Sequence, residues 1–134
     1  MRVIVSLLFL LGFMSAAQAD VSVVVNRTTQ KLTATIDGTI HVWDVSTGKR
    51  DKWTPAGIFK VQGMDADHYS SLYNDAPMPH SVFFNGHVAF HGTDDVENLG
   101  RRASHGCVRL HRDHAKILFD AIRRNGSRAH IQVL

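Results

Sequence analysis

The alternation of apolar and polar residues predicts that most of the chain forms short β-strands. Residues 21–25 are apolar and β-branched, and residues 31–36 alternate so that their apolar side chains share one face. Residues 39–43 form a third run of the same kind. Asp37-Gly38 separates the second and third runs and suits a tight turn in which both central residues have positive φ. The sequence therefore predicts a β-hairpin over residues 31–43.

The later part of the chain also contains short apolar segments that predict β-strands. Strands are expected at residues 57–62, 81–84, 87–91 and 129–134. Asn85-Gly86 lies between the middle two and predicts a second hairpin of the same turn type. Residues 64–79 and 92–103 lack clear periodicity, and loops of that length in a small domain are usually functional or mobile.

One α-helix is predicted in the C-terminal half of the chain. Asp113 can cap its N-terminus, and Asn125-Gly126 can end it. The apolar residues between them fall on one helical face: Ile117, Leu118, Ala121 and Ile122. The pattern as a whole predicts a mainly β domain with one helix.

The first nineteen residues have a different pattern. Arg2 precedes an apolar run over residues 3–14, and Ala17-Gln18-Ala19 fits a small-x-small cleavage site. We therefore predict a signal peptide at residues 1–19 and, because the chain is too short for two cores, one domain at residues 20–134. A retained membrane anchor is the weaker alternative, since the run is shorter than the ~20 residues that span a bilayer.

Composition and charge narrow the possible functions. The chain is 44% hydrophobic and 20% charged, as expected of an ordinary globular domain. Loss of Arg2 lowers the net charge from +3 to +2, and no run of like charges indicates a nucleic-acid-binding stripe. Cys107 is the only cysteine, so no intrachain disulfide can form. It can be a buried bystander, a link between two chains or a reactive thiol.

Histidines accompany this cysteine in the sequence. His105 lies two residues before Cys107, and His91 lies sixteen residues before it. An imidazole can accept the thiol proton, and the resulting imidazolium lowers the pKa of the thiol. Gly106 permits close approach of the backbone to a substrate, and amides around it can face an oxyanion. With Arg109 able to hold a carboxylate, these residue types predict a cysteine acyl-transfer site.

Two sequence blocks carry a family resemblance. His-Gly-Thr at residues 91–93 and Ser-His-Gly-Cys-Val-Arg-Leu at residues 104–110 resemble the signature of the L,D-transpeptidase catalytic domain, also called the YkuD-type domain. Residues 45–48 and 54–59 resemble its upstream blocks, and the similarity covers about residues 21–134. It implies a mainly β, sandwich-like fold with one helix in the C-terminal half and the cysteine on a strand near a lidded groove with long loops.

The resemblance also implies a reaction on peptidoglycan stem peptides that needs no cofactor. Such an enzyme cleaves the bond after the third residue of a stem tetrapeptide, releases D-alanine and holds the acyl group as a thioester. An amine of a second stem then takes the acyl group, which gives a 3→3 cross-link. By position, Cys107 is the nucleophile, His91 the general base and the Gly92 carbonyl the group that orients His91. His105 is the alternative base, because it is nearer in sequence.

Other residues are assigned to the substrate site by the same resemblance or by their position. The candidates are Ser104, Gly106, Arg109, Thr93, Tyr73 and His80. The long stretch at residues 64–79 is the candidate lid. The export signal and the substrate together predict a location in the periplasm or the cell wall.

Alternatives to this function and to its metal-free site remain open. Water as acceptor would make the protein an L,D-carboxypeptidase, a D-amino acid would make it an exchange enzyme, and the amine of an envelope protein would make it an anchoring enzyme. A non-catalytic wall-binding module would not need an activated thiol. The histidines invite a zinc site, but His87 and His91 would lie roughly 13 Å apart along a strand, so we predict no metal.

Overall fold

A computed structural model describes residues 20–134, which contain a nine-stranded β-sheet. The predicted signal peptide lies outside the described residues. The strands are β1 Val21–Asn26, β2 Lys31–Ile36, β3 Thr39–Ser46, β4 Gly57–Phe59, β5 Gly63–Tyr69, β6 Pro77–Asn85, β7 Val88–Thr93, β8 Val108–His111 and β9 His130–Val133. A 3-10 turn spans Val96–Asn98, and helix α1 spans Arg112–Arg124. Within residues 20–134, no helix has the length and apolar character needed to cross a membrane.

The sheet has two halves that meet at β3. The strand order is β4-β9-β1-β2-β3-β8-β7-β6-β5. The first part of β3 pairs with β2, whereas its last two residues, Val45 and Ser46, pair with Leu110 and Arg109 of β8. Buried side chains from both halves and from α1 belong to one hydrophobic cluster, so the sheet curls around a common core. The predicted mainly β, sandwich-like architecture with one helix is confirmed.

The two predicted hairpin turns differ in the structure. Asp37 (φ 50°) and Gly38 (φ 79°) both have positive φ, as predicted for the first turn. In the second, Asn85 still pairs with Val88, so the two loop residues are Gly86 and His87. Of these only Gly86 has positive φ (59°), which is the pattern of a type II′ turn. The expectation that Asn85 occupies the turn is wrong, because a register shift between Phe83 and Asn85 keeps it in the strand.

Helix α1 begins and packs slightly differently from the prediction. The ring of His111 accepts a hydrogen bond from the Asp113 amide at 3.1 Å, so His111, not Asp113, is the N-cap. Asn125 ends the helix, and its amide donates to the Ala121 carbonyl at 3.1 Å. Ile117 is 44% exposed and lies outside the buried face, which contains Ala115, Leu118, Phe119, Ala121 and Ile122.

The stretch 64–79 is a β-hairpin rather than an irregular loop. Strands β5 and β6 pair in register from Gly63 opposite Phe83 to Tyr69 opposite Pro77, and residues 70–76 form the tip. The alternation was hidden because β5 is an edge strand whose partly buried positions carry few large apolar side chains. The strand predicted at residues 57–62 is shorter, since β4 ends at Phe59.

Candidate active site

A groove of about 460 Å³ lies between the tip of the β5–β6 hairpin, the end of β7 and the segment before β8. Most of the residues predicted from the sequence line it: Tyr73, His91, Thr93, Ser104, His105, Gly106, Cys107 and Arg109. They come together because β7 and β8 are neighbouring parallel strands, with His91 opposite Arg109. Cys107 stands immediately before β8, so the two motif blocks lie on neighbouring strands within the sheet.

His91 is buried and held by the backbone of its neighbour. The side chain belongs to a residue only 7% exposed, and its Nδ1 lies 2.8 Å from the Gly92 carbonyl oxygen. A carbonyl oxygen can only accept, so Nδ1 carries the proton and Nε2 keeps its lone pair. Burial lowers the pKa of His91 from 6.5 to about 4, although the Gly92 hydrogen bond opposes this shift. The imidazole is therefore neutral at pH 7 and able to accept a proton.

The Cys107 thiol is held in its protonated form. Burial raises the pKa of the thiol, while a hydrogen bond with the Ala89 backbone and the charge of Arg109 lower it. Its Sγ lies 3.5 Å from the His87 carbonyl oxygen, to which it can donate. A protonated thiol is a weak nucleophile. To act as a nucleophile, this thiol would need a base, and His91 is a neutral imidazole in the same groove.

The turn that presents Cys107 is fixed from inside by two hydroxyl groups. The buried Ser104 hydroxyl donates to the Cys107 carbonyl at 2.5 Å and accepts from the Gly106 amide at 3.0 Å. The Thr54 hydroxyl donates to the Gly106 carbonyl at 2.7 Å and accepts from the Gly48 amide at 2.9 Å. The Gly106 amide is therefore not free to bind an oxyanion, which corrects that part of the prediction. The φ of Gly106, 128°, favours glycine at this position.

His105 occupies a different environment from His91. It is exposed, and its ring stacks on Tyr73 with centroids 4.3 Å apart and planes inclined by 13°. Burial lowers the pKa of His105 first, followed by the positive charges of Lys49 and Arg109. No hydrogen bond from the described residues fixes the tautomer of this ring, in contrast to His91.

His80 and Gly92 lie outside the groove lining. His80 packs edge-on against Phe119 of α1, with ring centroids 5.4 Å apart, so its predicted place in the groove is wrong. It shares the side of β6 that carries Val82 and Phe84, which are buried in the core. Gly92 contributes through its carbonyl, and a Cβ there would come within 3.2 Å of the Arg112 Cα.

The groove also contains polar residues that the motif blocks did not predict. They are His68, His87, Asp94, Asp95 and Arg112. Asp95 lies 3.7 Å from the Arg109 guanidinium, Asp94 forms a two-point ion pair with Arg112, and Asp65 lies 3.2 Å from the His68 ring. The position of Asp94-Asp95 directly after the His-Gly-Thr block was the available signal. Among residues 20–134, no group of three or more His, Cys, Asp or Glu side chains is placed to hold a metal ion.

Comparisons with known proteins agree on one family. A sequence model of the L,D-transpeptidase catalytic domain, YkuD, matches residues 20–131. YqjB of Bacillus subtilis (strain 168), whose name describes a candidate L,D-transpeptidase, is 31% identical over an alignment of 117 residues that covers 77% of this chain and 66% of YqjB.

Solved structures agree in fold. The L,D-transpeptidase of Stackebrandtia nassauensis is 27% identical with a TM-score of 0.74, over 88% of this chain and 57% of that one. An L,D-transpeptidase from Mycobacterium tuberculosis H37Rv has a TM-score of 0.78 at 21% identity, over 87% of this chain and 58% of that one. The chain thus spans less than two thirds of the length of these relatives.

Proposed function

The chain belongs to the L,D-transpeptidase catalytic-domain family, and we propose that it is a cysteine-dependent peptidoglycan L,D-transpeptidase. The observation that carries this proposal is the pairing of two features in one groove. Cys107 presents a thiol that needs a base, and the Gly92 carbonyl holds His91 in the tautomer that leaves Nε2 able to accept a proton. The proposed donor is the tetrapeptide stem of peptidoglycan.

In the first half-reaction, Cys107 Sγ attacks the carbonyl carbon of the third stem residue. The thiol proton passes to His91 Nε2 as the carbon–sulfur bond forms. The tetrahedral intermediate then collapses, the carbon–nitrogen bond to D-alanine breaks, and His91 returns the proton to the leaving amine. The products are D-alanine and a thioester on Cys107.

In the second half-reaction, an amine of another stem attacks the thioester carbon. His91 removes a proton from the attacking nitrogen, the carbon–sulfur bond breaks, and the proton returns to Sγ. The result is an amide that joins the third residues of two stems. The low pKa of His91 means that the imidazole starts each step neutral at pH 7, with Nε2 free to take up a proton.

The remaining groove residues position the donor. Arg109 and Thr93 lie on β8 and β7 next to the reacting pair, where a cation and a hydroxyl can bind stem carboxylates and amides. The hairpin tip, residues 70–76, is the candidate lid, and its Tyr73 reaches the groove. Ser104 acts through the shape of the turn, since its hydroxyl is engaged by the backbone on both sides.

The proposed enzyme is exported from the cytoplasm. Residues 1–19 would be removed as a signal peptide, and residues 20–134 would act in the periplasm or the cell wall without a stable membrane anchor. The start of β1 at Val21, directly after the predicted cleavage site, supports this domain boundary. There the enzyme would contribute to cell wall organisation and cell shape.

The test is incubation of the protein with purified disaccharide-tetrapeptide, followed by mass spectrometry, with Cys107→Ala alongside. We expect tetrapeptide–tripeptide dimers and free D-alanine, both absent in the variant. Tripeptide without dimers would replace the transpeptidase by an L,D-carboxypeptidase. Exchange of D-alanine for an added D-amino acid, or transfer to an envelope protein, would identify the other acceptors. Equal product from the variant would refute the role of Cys107.

A further inference from the structure

Two loops beside the groove join into one surface. Residues 47–53 and 99–103 are about fifty positions apart in the chain, yet the Lys49 amide donates to the Ser104 carbonyl at 3.0 Å. The Ala103 amide donates to the Thr47 carbonyl at 3.0 Å, and Gly48 forms a bridge with Ser104. A Cβ on Gly48 would lie 1.7 Å from the Lys52 carbonyl oxygen, so the tight path of the first loop requires glycine. We call these two segments the basic surface.

The basic surface concentrates the positive charge of the protein. It holds five of the fifteen Lys and Arg residues but only one of the twelve Asp and Glu residues, so the rest of the chain is close to neutral. The five cations are Lys49, Arg50, Lys52, Arg101 and Arg102. All except Arg102 are exposed, and none forms an ion pair with any residue from 20 to 134.

The positive field of this surface reaches the groove. Charges of Lys49 and Lys52 contribute to lowering the pKa of His105, which lines the groove two residues before Cys107. The cations that line the groove itself are different, because Arg109 and Arg112 are paired there with Asp95 and Asp94. Beside them, the basic surface offers cations that have no ion-pair partner among the described residues.

An exposed aromatic ring lies within the basic surface. Trp53 is 54% exposed, and the Arg102 guanidinium lies 4.4 Å from the centroid of its ring. The Arg102 Nη1 is buried and has no hydrogen-bond partner in the described part of the chain. An indole among unpaired cations fits a polymer that alternates apolar ring faces with carboxylates.

We propose that the basic surface docks the peptidoglycan strand that carries the reacting stem, with carboxylates of adjacent stems on Lys49, Arg50, Lys52 and Arg101 and a sugar ring on Trp53. This inference rests on the proposed function, since it assigns the polymer outside the groove. It gives a role to the unpaired charge beside the segment that carries Cys107. The surface would hold the polymer while the groove holds one stem.

The test is sedimentation with purified peptidoglycan from which phosphodiester polymers have been removed, with Cys107→Ala protein so that no turnover occurs. The variant combines Lys49→Glu, Arg50→Glu and Lys52→Glu. Its matched control combines Lys60→Glu, Lys116→Glu and Arg124→Glu, which reverses three exposed charges elsewhere. Because each exposed ion pair contributes about 1.4- to 5-fold in affinity, we expect about a tenfold loss for the first set and no loss for the control.

Two further measurements sharpen the result. Trp53→Ala should weaken binding at high salt, where the charges are screened, and amidation of the stem carboxylates should weaken the binding of unaltered protein. Equal binding by both charge-reversed proteins, or binding only to peptidoglycan that keeps its phosphodiester polymers, would overturn the proposal.

A separate readout distinguishes this proposal from the proposed function. Acylation of Cys107 by a soluble tetrapeptide needs no polymer. If acylation failed, the proposed reaction would be refuted, but loss of sedimentation in the basic-surface variant would still support docking to the polymer. If acylation were normal and the basic-surface variant sedimented as well as the unaltered protein, only the docking would be refuted.

Discussion

The two halves of the sheet differ in what they bury. In β1 and β2, every second side chain is buried and apolar, and the strands pair without a break in register. In the half that contains β6, β7 and the segment before β8, the buried residues of the strands and the site include His91, Ser104 and Ser81. Buried polar groups reduce stability unless they are satisfied or serve another purpose. The first half should therefore govern stability, and the second should govern chemistry.

The largest effect should come from Cys107. Replacement by alanine removes the only thiol, so acylation by a tetrapeptide donor should be abolished, as judged by intact-mass spectrometry. The thermal unfolding midpoint should stay close to that of the unaltered protein, because the side chain is not part of the hydrophobic cluster. A large fall in the midpoint would break the division between the two halves.

Replacement of the two histidines should give the next largest effects, and these should differ between His91 and His105. His91→Ala should slow acylation by about 10²- to 10⁴-fold, the usual contribution of general acid–base catalysis. His105→Ala should slow it by less than about tenfold, because this exposed ring contributes stacking rather than proton transfer. Acylation rates of both variants under single-turnover conditions decide the matter. A near-normal rate for His91→Ala would transfer the role of base to His105.

A core substitution in the half that contains β1 and β2 should lower stability and leave acylation nearly unchanged. Leu32 is fully buried between β1 and β3, and Leu32→Ala should lower the free energy of unfolding by about 2–5 kcal/mol. Chemical denaturation measures this loss. Acylation well below the unfolding transition should remain within about twofold of normal, because no residue of the groove is altered. A parallel loss of acylation would show that the halves are coupled.

The same contrast explains what could be predicted from the sequence. The hairpin over residues 31–43 was predictable because one face of it is buried, which imposes strict alternation on the sequence. Strand β5 was not, since an edge strand with Asp65 and Asp67 lacks that constraint. His91 and Cys107 were found through the motif blocks, but the engagement of the Gly106 amide by Ser104 depends on the path of the backbone.

The basic surface shows the same limit in another form. Lys49 and Arg101 are far apart in sequence and belong to no run of like charge, so composition indicated only a weak positive balance. Their proximity arises from hydrogen bonds between Thr47, Ala103 and Ser104, all of which involve the backbone. The pattern of apolar and polar residues predicts strands and helices whose burial is periodic. It does not predict contacts between irregular loops, because these contacts impose no period on the sequence.

The buried imidazole links chemistry to stability through pH. The pKa of His91 is about 4 in the folded protein and 6.5 when unfolded. Between these values the unfolded chain binds a proton that the folded protein does not, so the free energy of unfolding falls as pH falls below 6.5. The full loss is about 3 kcal/mol once pH is below 4. His91→Gln should lack it, and denaturation of both proteins across pH 3.5–7 measures the difference. Parallel pH profiles would contradict the prediction.

The smallest effect should come from the hairpin tip, residues 70–76, which is the candidate lid of the groove. Tyr73 stacks on His105, and a pair of this kind contributes about 0.5–1.5 kcal/mol. Tyr73→Ala should therefore slow acylation by about 2- to 10-fold with little change in the unfolding midpoint, whereas Tyr73→Phe, which keeps the ring, should restore most of the rate. Tyr69→Ala is the control, since this exposed side chain lies on the same hairpin but outside the groove. Shortening residues 70–76 should have a larger effect in the same direction. If these changes lowered stability as much as turnover, the tip would serve as structure rather than as a lid, and the division between the halves would end at β6.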